Sequence, residues 1–257
     1  MYVLLSPAKK LDEGASIAEL PSSEFSFFDD VAVLLKTARR QKLADLRKLM
    51  GISEPLGQLN VERFAAMSLP MNADNARQAA LLFAGDTYQG LAAASLSKDD
   101  LIWAQDHLGI LSGFYGLLRP LDAIQPYRLE MGTALKTRRG KNLYEFWGER
   151  IAKLIDHRLL GHAEPLVINC ASGEYFKAVA KKSLQAQVIT PVFLEQKGDV
   201  AKTISFLAKK ARGAMARYVV VNRLSEPQAL QGFNELGYVF DDALSSFEKP
   251  VFVARRG

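Results

Sequence analysis

Four short apolar runs constrain this chain more than any other feature. They are Val3-Leu4-Leu5, Pro165 to Cys170 with Leu166-Val167-Ile168 at its heart, Gln187 to Leu194, and Tyr218 to Asn222 with three consecutive valines. Each is apolar at successive rather than alternate positions, so each is expected to be covered on both faces. Between them lie segments with helical spacing. Buried strands separated by helices predict a mixed α/β fold with a sheet covered by helices. Residues around Phe252 are expected to add an edge strand. No internal repeat, low-complexity tract or linker divides the 257 residues, which predicts a single domain over residues 1–257.

From Asp29 to Arg40 apolar residues recur at Val31, Leu34, Leu35 and Ala38, with acids at the start and arginines at the end, as the helix dipole favours. A second helix is expected from Lys42 to Met50. Ser53-Glu54-Pro55 opens a third, with a capping residue and a proline in the first turn. Further helices are predicted over Asn75–Phe83, Lys98–Leu111, Asn142–Leu160, Tyr175–Lys182 and within Val200–Met215. Residues 12–28 read as a loop.

Composition excludes some classes. No apolar run approaches the roughly 18 residues of a membrane span. The segment from Met1 to Pro7 lacks a basic leader, and the single cysteine, Cys170, rules out an internal disulfide framework. A cytoplasmic protein is expected. The formal charge of +5 permits a polyanionic partner without establishing one.

The stretch from Leu108 to Gly132 is apolar and punctuated by glycines, yet carries Arg119 and Arg128 beside prolines and aromatics. A guanidinium offers a planar fork of donors for phosphate or carboxylate. Glycines allow close backbone approach to a ligand. The segment reads as the wall of an anion site, although Asp122 and Glu130 are alternative internal partners for the two arginines.

Two segments are candidate helix-hairpin-helix elements, in which backbone amides and a helix N-terminus hold a phosphate without reading a base. The sharper one runs from Leu43 to Leu56. There Gly51 allows the turn, Ile52 anchors it, Ser53 caps the next helix, and Arg47 and Lys48 add charge. An ordinary helical corner needs the same glycine and anchors. The second runs from Leu111 to Gly116, where Phe114 and Tyr115 either pack inside or stack on an unpaired base. Cations cluster at Lys136, Arg138, Arg139 and Lys141, and again at Lys209, Lys210 and Arg212. With Lys9 and Lys10 they could line one groove, giving sequence-independent affinity through counterion release.

Several motifs in register carry a family resemblance. Ser6-Pro7-Ala8-Lys9, Ala84 to Leu91, Leu111 to Asp122, Pro126 to Gly132, Asn142 to Gly148, Ala171-Ser172 with Glu174 to Lys177, and Ala208 to Gly213 together resemble the bacterial YaaA family of peroxide-stress-resistance proteins. The likeness runs from residue 3 to about residue 240. It implies a cytosolic protein of the oxidative-stress response that binds double-stranded or distorted DNA, the substrate of DNA repair. It also implies a compact α/β domain with a basic cleft, and a link to lowered intracellular iron. On it, Lys9, Arg119, Arg128, Lys209, Lys210 and Arg212 are expected to converge. The chain departs from the family pattern at Cys170, Gly173 and Thr87.

Other chemistry is weakly signalled. Three histidines, His107, His157 and His162, are too few and badly spaced for a metal site, and no cysteine pair exists for zinc or an iron–sulfur cluster. Neither a P-loop nor a dinucleotide fingerprint occurs, so no metal and no cofactor are expected. The competing reading is an enzyme acting on nucleic acid or nucleotides, such as a lyase using Lys9. A desolvated Lys9 beside Lys10 would form a Schiff base, with Glu174 or Glu195 moving protons and Tyr127, Ser172 and Tyr175 nearby. Cys170, at a strand end, is expected to be a packed apolar residue rather than a redox sensor.

Overall fold

A computed structural model describes residues 1–14, 20–71, 74–180 and 182–255. The expected loop over residues 12–28 therefore lies partly outside the described residues, as does Lys181 of the expected helix Tyr175–Lys182. The main sheet holds β1 (Tyr2–Leu5), β2 (Leu108–Ser112), β3 (Gly116–Leu118), β4 (Leu166–Asn169) and β5 (Gln187–Ile189). Its spatial order is β3-β2-β1-β4-β5, parallel except for the β2–β3 hairpin. Every residue of β1, β2 and β4 is buried, as their unbroken apolar runs require.

A second sheet is made by β6 (Val192–Lys197), β7 (Val200–Lys202), β8 (Tyr238–Phe240) and β9 (Val251–Arg255), in the order β7-β6-β9-β8. The strand around Phe252 is therefore internal, not an edge. The expected strand Gln187–Leu194 is divided between the two sheets at Thr190-Pro191, because proline withholds the amide that would continue one ladder. One apolar cluster nonetheless includes residues of both sheets, from Val3 and Ile168 to Phe193 and Phe252.

Helices α1 (Phe28–Ala38), α2 (Leu43–Met50) and α3 (Glu54–Ala66) form as the periodicity predicts. They are followed by α4 (Asp86–Leu91), α5 (Lys98–His107), α6 (Leu143–Trp147), α7 (Arg150–Arg158), α8 (Gly173–Phe176) and α9 (Ser205–Val221). Helix α5 is opened by Ser97, whose hydroxyl accepts from the Asp100 N–H at 3.1 Å while Asp100 accepts from the Ser97 N–H at 3.2 Å.

Four expectations are corrected here. The helix over Lys98–Leu111 stops at His107, and the remainder is β2, paired with β1 from Val3↔Leu108 to Leu5↔Ile110. A short apolar run is ambiguous between helix and strand until a partner is present. Asn142–Leu160 is two helices, broken at Gly148, which adopts a positive φ of 51°. Asn75–Phe83 holds a single turn, Ala79–Leu82, between two short strands. Tyr218–Asn222 is no strand but the end of α9, where the stripe Ala208, Ala211, Met215 and Val219 is buried at helical spacing. Packing of that stripe outweighs the β propensity of three valines, which spans only about 1 kcal/mol.

The turn after β3 is fixed by Asp122, which is wholly buried. It accepts from the Arg119 N–H at 2.8 Å, Arg119 Nε at 3.1 Å and the Ser23 hydroxyl at 2.6 Å. Burial pushes its carboxyl up despite these donors. Asp122→Asn is expected to lower stability by about 2 kcal/mol in urea unfolding, the worth of hydrogen bonds to a charged group. The cost stays below that of breaking a wholly buried pair because Arg119 still reaches solvent. An unchanged urea midpoint would show that the bonds carry nothing.

Candidate functional site

In the main sheet, β1 lies between β2 and β4, so the chain leaves it towards one neighbour and later returns to the other. Such a switch of direction leaves a crevice outside the carboxyl ends of the strands, the usual place for a ligand in an open parallel sheet. A cleft of about 410 Å³ opens there. Residues Ser6 to Lys10 follow β1, Cys170, Ser172, Glu174 and Tyr175 follow β4, and Tyr127 to Glu130 come from the segment after the β2–β3 hairpin. Ala84 to Thr87 at the start of α4, with Lys209 and Arg212 of α9, complete the lining.

Short hydrogen bonds hold this frame. Ser6 Oγ accepts from the Ser172 N–H at 2.8 Å and donates to Ser172 Oγ at 3.3 Å, tying the ends of β1 and β4 together. The Tyr88 hydroxyl donates to the Ser6 carbonyl at 3.1 Å. The hydroxyls of Tyr127 and Ser112 meet at 2.6 Å. Burial raises the phenols of Tyr127 and Tyr175, so both stay neutral at physiological pH.

Five cations meet in the cleft. Lys9 pairs with Glu130 at 3.0 Å, and Arg128 reaches the other oxygen of the same carboxylate at 3.1 Å. Arg128 Nε is buried with no hydrogen-bond partner among the described residues. Among the described residues Lys10, Lys209 and Arg212 make no side-chain hydrogen bond or ion pair. Lys209 and Arg212 are three apart on α9 and so share a face. Asp86 and Glu174 add two carboxylates besides Glu130, and Glu174 accepts from the Gly132 N–H at 3.0 Å.

The position of α9 over the cleft rests on two glycines. A Cβ on Gly213 would lie 1.7 Å from the Thr87 carbonyl oxygen, and one on Gly90 would lie 2.0 Å from the Lys210 carbonyl oxygen. Helices α4 and α9 thus cross backbone to backbone, which sets Asp86 and Thr87 in the same cleft lining as Lys209 and Arg212. Arg217 then donates to the carbonyls of Leu91 and Ala92 at 3.2 and 3.1 Å, closing the C-terminus of α4.

Other expected site residues lie elsewhere. Arg119 is not on the cleft. It is held by Asp122 and by the Glu24 carbonyl at 3.1 Å. Lys210 is on α9 beside the lining residues but is not one of them. Lys48, Gly51 and Ser53 sit at the α2–α3 corner, also outside the cleft. Gly51 has φ of 61° and open space around it. Its amide and that of Ile52, at 3.2 Å, both turn inward to the Arg47 carbonyl, while Arg47 itself pairs with Glu54 at 2.8 Å. Ser53 occupies the capping position without a side-chain capping bond. Arg139 pairs with Asp30 and covers the Phe146 ring.

The segment from Leu111 to Gly116 is a β-hairpin turn, not a helical one. Ser112 Oγ accepts from the N–H groups of Phe114 and Tyr115 at 3.2 and 2.8 Å, and both aromatics are completely buried. Neither ring can stack on a base. Gly113 is small because the chain itself comes close: a Cβ there would lie 2.4 Å from the Leu129 carbonyl oxygen. The Trp147 indole donates to the Gly113 carbonyl at 3.0 Å.

Lys9 is 63% exposed in its side chain and paired, unlike the desolvated amine that Schiff-base chemistry requires. Glu195 lies in β6, where the Tyr238 hydroxyl donates to it at 2.5 Å, outside the cleft. Cys170 lines the cleft floor but is buried, which pushes its thiol up to about 12 and keeps it protonated and poorly nucleophilic. His107 and His162 stack 4.7 Å apart on a different face, beside the Met1 amino group.

Sequence reasoning misses Asp86 and Thr87, which stand in a glycine-bounded segment without a charge cluster to mark them. The spacing Arg128–Glu130 was the signal for the shared carboxylate.

The chain is 53% identical over 253 residues to a UPF0246 protein of Ruegeria pomeroyi, covering 98% of each chain. It is 53% identical over 255 residues to one of Roseobacter denitrificans, again covering 98% of each, and 50% identical over 255 residues to one of Bordetella avium, covering 99% of each. Residues 1–244 match a family described as peroxide stress protein YaaA.

Proposed function

We propose, for a chain that belongs to the peroxide stress protein YaaA family, that the cleft binds DNA through phosphates with little sequence preference. Family membership assigns the chain to the peroxide stress response. Double-stranded or distorted DNA is the partner this reading supplies, in the cytoplasm and in the service of repair. The observation that carries it is the trio Lys10, Lys209 and Arg212, cations with no hydrogen-bond or ion-pair partner among the described residues, in one crevice beside Lys9 and Arg128. Unpaired cations held together repel one another and are retained where a polyanion neutralises them. No helix among the described residues is long and apolar enough to cross a membrane.

The α2–α3 corner is the candidate helix-hairpin-helix element of the same reading. Its charge is mixed, since Glu54 stands at the N-terminus of α3 where a phosphate would sit. Lys48 and the amide of Ser53 are its remaining contributions.

Fluorescence anisotropy with a short labelled duplex tests both parts. Arg212→Ala and Lys209→Ala are each expected to weaken binding to any sequence alike and to reduce the salt slope by about one. Gly51→Glu is expected to weaken binding only if the corner meets DNA, with circular dichroism confirming the fold. Absence of binding at low salt would sink the reading, and wild-type affinity in folded Gly51→Glu would leave the corner purely structural.

A further inference from the structure

The cleft is the wrong size for a duplex and the wrong charge for a bare anion. Its volume of about 410 Å³ falls in the small-ligand range of roughly 300–1,000 Å³. A duplex, whose major groove alone is about 12 Å wide, cannot enter it. Inorganic phosphate would leave most of it empty and would meet three carboxylates, Asp86, Glu130 and Glu174. Carboxylates accept and never donate when ionised, so a ligand they favour must bring N–H or O–H donors of its own. Asp86 makes no hydrogen bond or ion pair among the described residues. Arg128 Nε is a buried donor with no acceptor among the described residues. The site therefore calls for an occupant that is anionic at one end and hydrogen-bond-donating at the other.

We infer that the cleft takes a single nucleotide unit. Its phosphate lies on Arg212, with Lys10 and Lys209 left for the phosphates on either side. The donor edge of its base or sugar lies towards Asp86 and Glu174, where an amino or imino group meets a carboxylate as cytosine N4 does in groove recognition. The walls from Ala8 and Leu129 and the neutral ring of Tyr127 suit a planar base. Within the DNA-binding reading, on which this rests for its source, duplex phosphates are held at the rim and one nucleotide is turned out of the stack into the crevice. Unpaired or mismatched positions are favoured because they cost least to extrude. The other source of the same chemistry is a free nucleoside monophosphate.

The test uses the full chain and duplexes carrying 2-aminopurine either opposite a mismatch or fully paired, read by anisotropy and by 2-aminopurine fluorescence together. Saturable binding is expected to raise the fluorescence severalfold at the mismatch and little in the paired duplex. Glu174→Gln separates extrusion from general electrostatics. Compared at saturating protein, with occupancy read by anisotropy, the fluorescence change at the mismatch should fall severalfold, a loss that weaker phosphate attraction cannot cause because the substitution removes a negative charge. Anisotropy binding with flat fluorescence overturns the extrusion and leaves the DNA reading standing. A parallel titration with a free deoxynucleoside monophosphate, against inorganic phosphate, covers the second source. Nucleotide binding that outcompetes phosphate and is lost in Arg212→Ala supports the nucleotide site even if duplex binding fails. Absence of both the fluorescence change and nucleotide binding overturns the inference entirely.

Discussion

Raising salt from about 50 to about 200 mM is expected to weaken DNA binding by roughly 40- to 500-fold, the range set by how many cleft cations meet phosphate. Each neutralised phosphate contributes about −0.9 to the slope of log affinity against log salt. All five cations, Lys9, Lys10, Arg128, Lys209 and Arg212, give a slope of about −4.5 and the upper figure. If Lys9 and Arg128 stay with Glu130, the remaining three give about −2.7 and the lower figure. Glu130→Gln separates these cases, because it releases both cations and should steepen a slope near −2.7 but leave one near −4.5. An affinity that hardly changes with salt would rule out phosphate-dominated binding and, with it, the functional assignment of the cleft.

Gly213→Ala is expected to cost about 3 kcal/mol, at the upper end of the overpacking range, and to lower Tm by roughly 10 °C. In an exposed helix the same change gains up to about 1 kcal/mol through propensity, so the sign is diagnostic. The methyl carbon would meet the Thr87 carbonyl at 1.7 Å and the Leu91 amide nitrogen at 2.8 Å, both backbone atoms that no rotamer change can move. Helices α4 and α9 must separate, carrying Lys209 and Arg212 away from Asp86 and Thr87. DNA affinity should fall with stability even though no charge is touched. Gly173→Ala is the control: its Cβ meets open space, and its stability should stay within about 0.5 kcal/mol of the parent. Stabilisation by Gly213→Ala in thermal melts would refute the close crossing.

Parts of the site were legible from residue type and neighbourhood. Lys209 and Arg212 share a helix face by spacing, and Lys9 and Lys10 follow a strand end, where an open sheet places its crevice. The fate of the two arginines of the glycine-rich segment was not legible. Each has a carboxylate within three residues, Asp122 for Arg119 and Glu130 for Arg128. Only the direction of the chain after β3 decides that one pair locks a buried turn while the other faces the cleft. The glycines misled for a related reason. Gly113 is small to admit another part of the same backbone, and a sequence does not distinguish this from the approach of a ligand.

The sequence by itself determined the helices α1 to α3, the buried character of β1 and β4, and the supply of cations, because periodicity, capping and charge are local properties. Tertiary structure alone decided that Leu108–Ser112 is a strand and Tyr218–Val221 a helix end, since each apolar run takes the form its packing partner completes. It alone set Lys9, Arg128 and Arg212 around one crevice. They lie in three segments far apart in sequence, and what joins them is the return of the chain to the opposite side of β1 and the glycine crossing of α4 with α9, neither of which any local window of sequence contains.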